Sequence, residues 1–278
     1  MPPTGLVLLA IGSVQLGSAI AKHLFHALGP GGAVFLRIGF GALVLLILWR
    51  PRFRGYARAD YAVAILFGLT VAAMNFSFYS ALDRIPLGIA VTLEFVGPLG
   101  VAVAGSRRVL DGVWVLLAAV GIVLLAPWGG IKLNTLGVML ALLAGSFWAA
   151  YIFLSARVGR VFIGGTGLAL AMVVGGLVST PIGVLSAGTS LLRPQLLLVG
   201  ACVALLSAVI PYSFELEALR RLPTKVFGVL MSLEPAVAAI LGFIVLGEVL
   251  ALRAVIAIVL VTVAAAGASR YGVRTPID

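Results

Sequence analysis

The sequence predicts an all-α membrane protein of ten transmembrane helices, arranged as two inverted five-helix repeats. Three observations carry this prediction. Of 278 residues, 62% are hydrophobic and 10% are charged, against about 45–50% and about 25% in soluble domains. Apolar runs of the length a helix needs to cross a hydrocarbon core of about 30 Å succeed one another along the chain. A short motif also returns: residues 81 to 86 read A-L-D-R-I-P and residues 218 to 223 read A-L-R-R-L-P, an offset of 137. The composition excludes disorder, a disulfide scaffold and a coiled coil. Strands of alternating polarity are missing, which excludes a membrane barrel.

Glycine, proline and charged clusters divide the apolar sequence into ten segments: 5 to 22, 31 to 49, 61 to 82, 87 to 106, 110 to 127, 135 to 156, 165 to 186, 196 to 219, 224 to 246 and 251 to 269. The first lacks a basic flank and an A-x-A cleavage site, so it is expected to be a retained helix and not a signal peptide. The connections are short and leave no room for a soluble domain. The repeat splits the chain into 1–130 and 131–278 and superposes Gly97-Pro98 on Glu234-Pro235. With five helices per half, the second half must enter the membrane upside down.

A formal charge of +10 would suggest nucleic acid in a soluble domain. Here the basic residues sort by side of the membrane. Thirteen of the nineteen Lys and Arg fall on the side of the amino terminus: Arg50, Arg52, Arg54, Arg58, Arg107, Arg108, Arg157, Arg160, Arg220, Arg221, Lys225, Arg270 and Arg274. The other six are Lys22, Arg37, Arg84, Lys132, Arg193 and Arg253. Basic loops stay in the cytoplasm, so both termini are expected there. Inverted repeats are the architecture of alternating-access carriers, with substrate sites near the midplane.

Several runs carry a family resemblance. Pro86 to Arg108 reads P-L-G-I-A-V-T-L-E-F-V-G-P-L-G-V-A-V-A-G-S-R-R, and Pro211 to Glu248 contains P-Y-S-F-E, A-L-x-R-L-P-T, F-G-x-L-M-S-x-E-P-A and L-G-E in order. Others are S-V-Q-L-G-S-A-I-A-K-H-L-F at 13 to 25, M-N-F-S-F-Y at 74 to 79 and W-A-A-Y-I at 148 to 152. Over essentially the whole chain these resemble the bacterial inner-membrane threonine/homoserine exporters. That family lies in the drug/metabolite transporter superfamily of ten-helix carriers with two EamA-type repeats. The resemblance implies efflux of a small metabolite driven by the proton gradient.

An ionisable group within the bilayer costs about 2.5–3.5 kcal/mol on insertion scales and tends to face a cavity or a partner. Glu94 lies roughly 10 Å along its segment, three residues before Gly97-Pro98, where the proline removes a backbone donor. It either binds an amino group or a proton, or bonds a neighbouring helix. Glu234 lies roughly 15 Å along its segment, next to Pro235. It either serves the substrate ammonium or a coupling proton, or donates to a freed carbonyl. Glu215 is a candidate for the cavity wall, whereas Glu217 and Glu248 sit nearer the interfaces. Under the repeat offset Glu94 aligns with Met231 and Glu234 with Gly97, so the carboxylates are not symmetry mates.

Among uncharged residues, Gln15, Asn75, Tyr79, Trp148, Tyr151 and Tyr212 are candidates for the cavity wall or for interhelical packing, and Ser77 and Ser232 join the polar set. Asn75 and Tyr79 share a helix face, as do Trp148 and Tyr151, whose rings offer a π-face to an ammonium group. The resemblance adds that these residues sit on segments lining the cavity in related carriers. Lys22 either snorkels to the interface or attracts a carboxylate. Arg37, inside segment 2, is expected to pair with Glu94 or Asp83. Gly137, Ala141, Gly145 and Ala149 recur every four residues and predict close helix packing.

Catalytic signatures are missing: no G-x-S-x-G elbow, no H-E-x-x-H and no phosphate loop. His23 and His26 are too few for a catalytic metal centre, and Cys202 stands alone, so no metal or cofactor is expected. The expected partners are a small amino-acid substrate, the proton and the lipid bilayer, with a second copy of the chain as an open option and no nucleic acid. An efflux carrier for another metabolite or a drug-like cation is the alternative. A membrane-embedded enzyme or sensor is the reading from another class.

Overall fold

The computed structural model describes residues 1–51, 55–85, 87–104, 109–125 and 134–246, with isolated positions between 252 and 267. Most of the tenth predicted segment, Glu248 and the side chain of Lys22 lie outside the described residues. Every described element is helical: α1 (Pro3–Trp49), α2 (Arg58–Leu82), α3 (Leu87–Glu94), α4 (Val96–Ala104), α5 (Val109–Leu125), α6 (Thr135–Val161), α7 (Thr166–Ala187), α8 (Pro194–Ala204), α9 (Ile210–Leu219), α10 (Thr224–Met231) and α11 (Glu234–Leu246). A 3₁₀ turn (Gly188–Leu192) follows α7, and a π turn (Leu205–Val209) joins α8 to α9.

Six stretches among the described residues are long and apolar enough to cross a membrane: Pro3–Ala21, Leu24–Trp49, Arg58–Leu82, Thr135–Val161, Thr166–Leu192 and Pro194–Leu219. The outer surface is apolar, with Leu185 86% and Leu177 69% exposed. Such a surface fits lipid and not water. Two predicted segments differ from continuous helices. The segment 87 to 106 is broken at Phe95 and the segment 224 to 246 at Ser232-Leu233.

Segments 1 and 2 form the two arms of α1, which folds back at Gly29. That residue has φ 65°, a conformation glycine adopts without steric cost, and Pro30 then opens the second arm. The packing shows the reversal. A Cβ on Gly17 would lie 2.7 Å from the Ser207 Cβ, and one on Gly41 would lie 3.5 Å from the Ala208 Cβ. In a straight helix residues 17 and 41 would be about 36 Å apart. Both arms therefore pack at the same level of the π turn.

The π turn explains two contacts from α1. The Ile210 N–H bonds the carbonyl of Leu205, five residues back, so the Leu206 carbonyl loses its α-helical donor. In a regular helix the Ser207 carbonyl would take the N–H of residue 211, which is proline and has none. Without water to satisfy them, both carbonyls need donors from within the protein. The Ser13 hydroxyl donates to Leu206 at 2.5 Å, and the Arg37 Nη2 donates to Ser207. Each arm of α1 supplies one donor.

The break at Phe95 rests on a backbone contact. Pro98 lies in the first turn of α4 and cannot donate to the Glu94 carbonyl, and that carbonyl faces α6 so closely that a Cβ on Gly145 would come within 2.4 Å of it. A Cβ on Gly97 would come within 2.0 Å of the Gly145 carbonyl. The small residues of α6 are thus a packing surface for residues 84–98, with Gly137 against Arg84 and Ile85. Pro235 likewise lies in the first turn of its helix, α11, where the fixed φ of proline is tolerated.

At the far end of α6, Arg220 closes the chain. Its Nε donates to the Gly159 carbonyl at 2.8 Å and its Nη2 to the Phe162 carbonyl at 3.0 Å and to the Gly164 carbonyl. A guanidinium satisfies helix C-terminal carbonyls and is favoured by the negative end of the helix dipole. Glu217 holds Arg220 at 3.2 Å and also pairs with Arg221, the helix pairing expected of an interfacial glutamate.

Two outcomes follow. Gly145→Ala places a methyl group where the Glu94 carbonyl stands, and overpacking of this kind costs about 1–3 kcal/mol. Gly12→Ala, inside α1, meets nothing within 4 Å and is expected to leave stability unchanged or raise it by up to about 1 kcal/mol. Arg220→Ala strands three carbonyls and is expected to cost about 1–3 kcal/mol. Thermal unfolding of the detergent-purified protein checks both, and a Gly145→Ala variant as stable as Gly12→Ala would refute the first.

Candidate functional site

The broken helices, α1 and the π-turn helix converge on one cavity of about 50 Å³. A water needs about 10–15 Å³ on this measure, so the space holds roughly three to five water-sized groups. Gln15 and Ser18 reach it from the first arm of α1 and Arg37 from the second. Asn75 comes from α2, Glu94 from the end of α3, Trp148 and Tyr151 from α6, Tyr212 and Glu215 from α9, and Glu234 from the start of α11. Val14, Met74, Phe78 and Val91 complete an apolar part of the wall.

The polar groups form a connected set. Arg37 Nη1 donates to the Tyr79 hydroxyl at 3.0 Å and Nη2 to the Tyr212 hydroxyl at 3.3 Å. Asn75 Nδ2 donates to the same Tyr212 oxygen at 3.1 Å and to the Val71 carbonyl at 2.7 Å. The Tyr151 hydroxyl donates to Glu215, and Gln15 Nε2 donates to Glu234 Oε1 at 2.9 Å. The guanidinium carbon stands 5.4 Å from the Tyr79 ring centre and 5.8 Å from that of Tyr212, within cation–π range. Tyr151 and Tyr212 are ring neighbours at 5.5 Å.

Glu94, Glu215 and Glu234 are all buried, and none lies within 4.0 Å of Arg37 as an ion pair. The expected pairing of Arg37 with Glu94 or Asp83 is therefore corrected. Asp83 pairs instead with Arg84 at 3.7 Å, on the exposed turn after α2. Arg37 is drawn away by the Ser207 carbonyl, which the missing N–H of Pro211 leaves open to it. Glu234 bonds Gln15 and not a freed carbonyl, and its Oε2 is buried without a hydrogen-bond partner.

Of the residues proposed from sequence, Gln15, Asn75, Glu94, Trp148, Tyr151, Tyr212, Glu215 and Glu234 all line this cavity. Tyr79 does not: it is fully buried against Phe25, with ring centres 5.0 Å apart, and it holds Arg37. Gly97, Pro98 and Pro235 lie in the first turns after the two breaks. Ser232 is buried in the second break, its hydroxyl donating to the Val229 carbonyl. Arg37 and Ser18 are cavity residues absent from the expected set. For Arg37 the signal was legible, because an ionised side chain within an apolar run is a site candidate by default.

Residues 135–270 match the EamA-like transporter family. The threonine/homoserine exporter RhtA of Salmonella typhimurium (strain SL1344) is 39% identical over 276 residues, which cover 99% of this chain and 93% of the relative. The threonine/homoserine exporter RhtA of Escherichia coli (strain K12) is 42% identical over 250 residues, covering 89% and 84%. A crystal structure with 21% sequence identity superposes over 97% of this chain and 98% of its own, with a TM-score of 0.76. The fold is thus shared well beyond the range of close sequence similarity. The chain belongs to the family of the threonine/homoserine exporter RhtA, among the EamA-like transporters.

Proposed function

We propose that this protein is a secondary exporter of small amino acids of the threonine and homoserine kind, coupled to the proton gradient and working by alternating access. It resides in the bacterial inner membrane with ten spanning helices and both termini in the cytoplasm. The observation that carries this reading is the cavity itself, where one guanidinium and three carboxyl groups from both halves of the chain face a space sized for a small polar molecule. The names of the relatives support it.

The charges supply the coupling. Were all three carboxyls ionised against one guanidinium, two negative charges would stand without a partner in a medium of low dielectric, where like charges repel strongly. A proton or an ammonium group relieves that repulsion. If either occupant balances the site, the two exchange, and an exporter returns loaded with protons where it left loaded with amino acid. Glu94 and Glu234 are the carboxylates assigned to this exchange, with Gln15, Asn75, Tyr151, Tyr212 and Glu215 holding the wall and Trp148 offering a ring face. Tyr79 serves by holding Arg37.

Alternating access is assigned to the rocking of 1–130 against 131–278 as inverted repeats. Two features support this. The breaks at Phe95 and Ser232 stand 137 residues apart, the offset of the sequence motif. Asn75 donates to Tyr212, again across 137 residues. In a two-fold arrangement a residue touches its own mate only beside the axis. The pseudo-axis would then pass through the cavity wall, where one half moving against the other exposes the site to alternate sides.

Counterflow of labelled threonine into proteoliposomes loaded with unlabelled threonine or homoserine is the direct test. Accumulation is expected, with drug-like cations unable to replace the amino acid. Failure of every small amino acid to drive counterflow would overturn the proposal. Glu94→Gln is expected to abolish export driven by a proton gradient while leaving the folded protein in the membrane. A normal rate of uphill transport by that variant would remove Glu94 from the mechanism.

A further inference from the structure

We infer that Arg37 is the carboxylate receptor of the cavity and that it restricts transport to substrates bearing a free carboxylate. This rests on reading the cavity as an amino-acid site. It adds a specificity-determining residue that binds the end of the substrate opposite to its ammonium group.

The argument begins with donors. A guanidinium carries five N–H groups and no acceptor. Three bonds are made by the Nη atoms, to Tyr79, Ser207 and Tyr212. The Nε–H is buried and has no hydrogen-bond partner. Arg37 itself is 5% exposed, and it lines the cavity. A buried, unmatched donor on a permanent cation is costly unless an acceptor visits it.

Position follows from the same bonds. The Ser207 carbonyl and the two tyrosine hydroxyls hold the plane of the guanidinium, so its remaining face is pre-organised and little entropy is lost when an anion arrives. The other charge-bearing side chains on the cavity wall are the carboxyls of Glu94, Glu215 and Glu234, and the remaining polar groups there, the Tyr151 and Tyr212 phenols among them, carry no positive charge. A substrate carboxylate is repelled by the carboxyls and attracted by Arg37 alone. The opposite pole is equally unmatched, since Glu234 Oε2 is buried with no partner. An unmatched cationic donor and an unmatched carboxyl oxygen, each on a residue that lines one small cavity, complement the two ends of an α-amino acid. An amine without a carboxylate would satisfy the acidic pole and leave the Arg37 donor empty.

The test uses the full chain in proteoliposomes and follows exchange of labelled threonine against three competitors: threonine, homoserine and threoninamide, which keeps the ammonium group and lacks the carboxylate. In the wild type the amide is expected to compete about 10- to 100-fold more weakly than threonine, the span set by one or two hydrogen bonds to a charged group. Arg37→Lys keeps the charge without the planar fork and is expected to shrink that ratio severalfold. Arg37→Gln is expected to lose threonine exchange. Thermal unfolding of each variant identifies one that fails to fold, and the wild-type ratio needs no variant.

Equal competition by threoninamide and threonine in a wild type that exchanges threonine would overturn the role of Arg37 alone. An Arg37→Lys ratio unchanged from wild type would do the same and leave the residue as a tie to the Ser207 carbonyl. A wild type that exchanges no amino acid would overturn the exporter reading and this inference with it.

Discussion

A permanent cation buried in an apolar bundle must be held by groups that would otherwise be unsatisfied themselves. Arg37 meets that condition. The carbonyl it bonds belongs to Ser207, which lies four residues before Pro211 and cannot receive the donor that a regular helix would provide. The hydroxyls it bonds belong to two tyrosines whose rings are otherwise packed in the core. The second arm of α1, α2 and the π-turn helix are joined through this one set of contacts. The fold of α1 at Gly29 matters for the same reason, because it brings Ser13 and Arg37 to adjacent carbonyls.

The broken helices solve a related problem. A helix interrupted inside a membrane leaves backbone groups that only protein can satisfy. Here the interruption at Phe95 is placed against glycine, so that the backbone of Glu94 and Gly97 lies directly on the backbone of Gly145. The cost of the break is offset by close packing, and the break delivers Glu94 and Glu234 to the cavity from helix ends. Prolines sit just after each break, in the one part of a helix where they do no harm. The same feature that interrupts the helix thereby positions the carboxyl groups.

Much of this was legible in the residues themselves. Scarcity of charge made Glu94, Glu215 and Glu234 conspicuous, and all three line the cavity. Gly137, Ala141, Gly145 and Ala149 announced a packing face by spacing alone. Arg37 was conspicuous too, but the partner expected for it was another charge. Pairing opposite charges is a pairwise rule, and it lost to a carbonyl freed by a proline 174 positions away in the chain. Tyr79 misled in the opposite sense. Its place on the face of Asn75 suggested the cavity wall, yet that face also turns towards the second arm of α1, where the hydroxyl meets Arg37.

The sequence by itself determined the solvent, the secondary structure and the short set of ionisable residues from which a site could be built. These are local or compositional properties: hydrophobic length decides what can cross a bilayer, and rarity of charge marks what must be sheltered within it. Only the tertiary structure decided which of those residues face one another, where the helices break, and which donors remain unmatched. Those outcomes depend on long-range contacts, Gln15 with Glu234, Arg37 with Ser207 and Asn75 with Tyr212. Each carries a sequence separation that no periodicity encodes. Helices form from their own hydrogen bonds, whereas a polar site in a membrane forms only when distant parts of the chain satisfy what each leaves open.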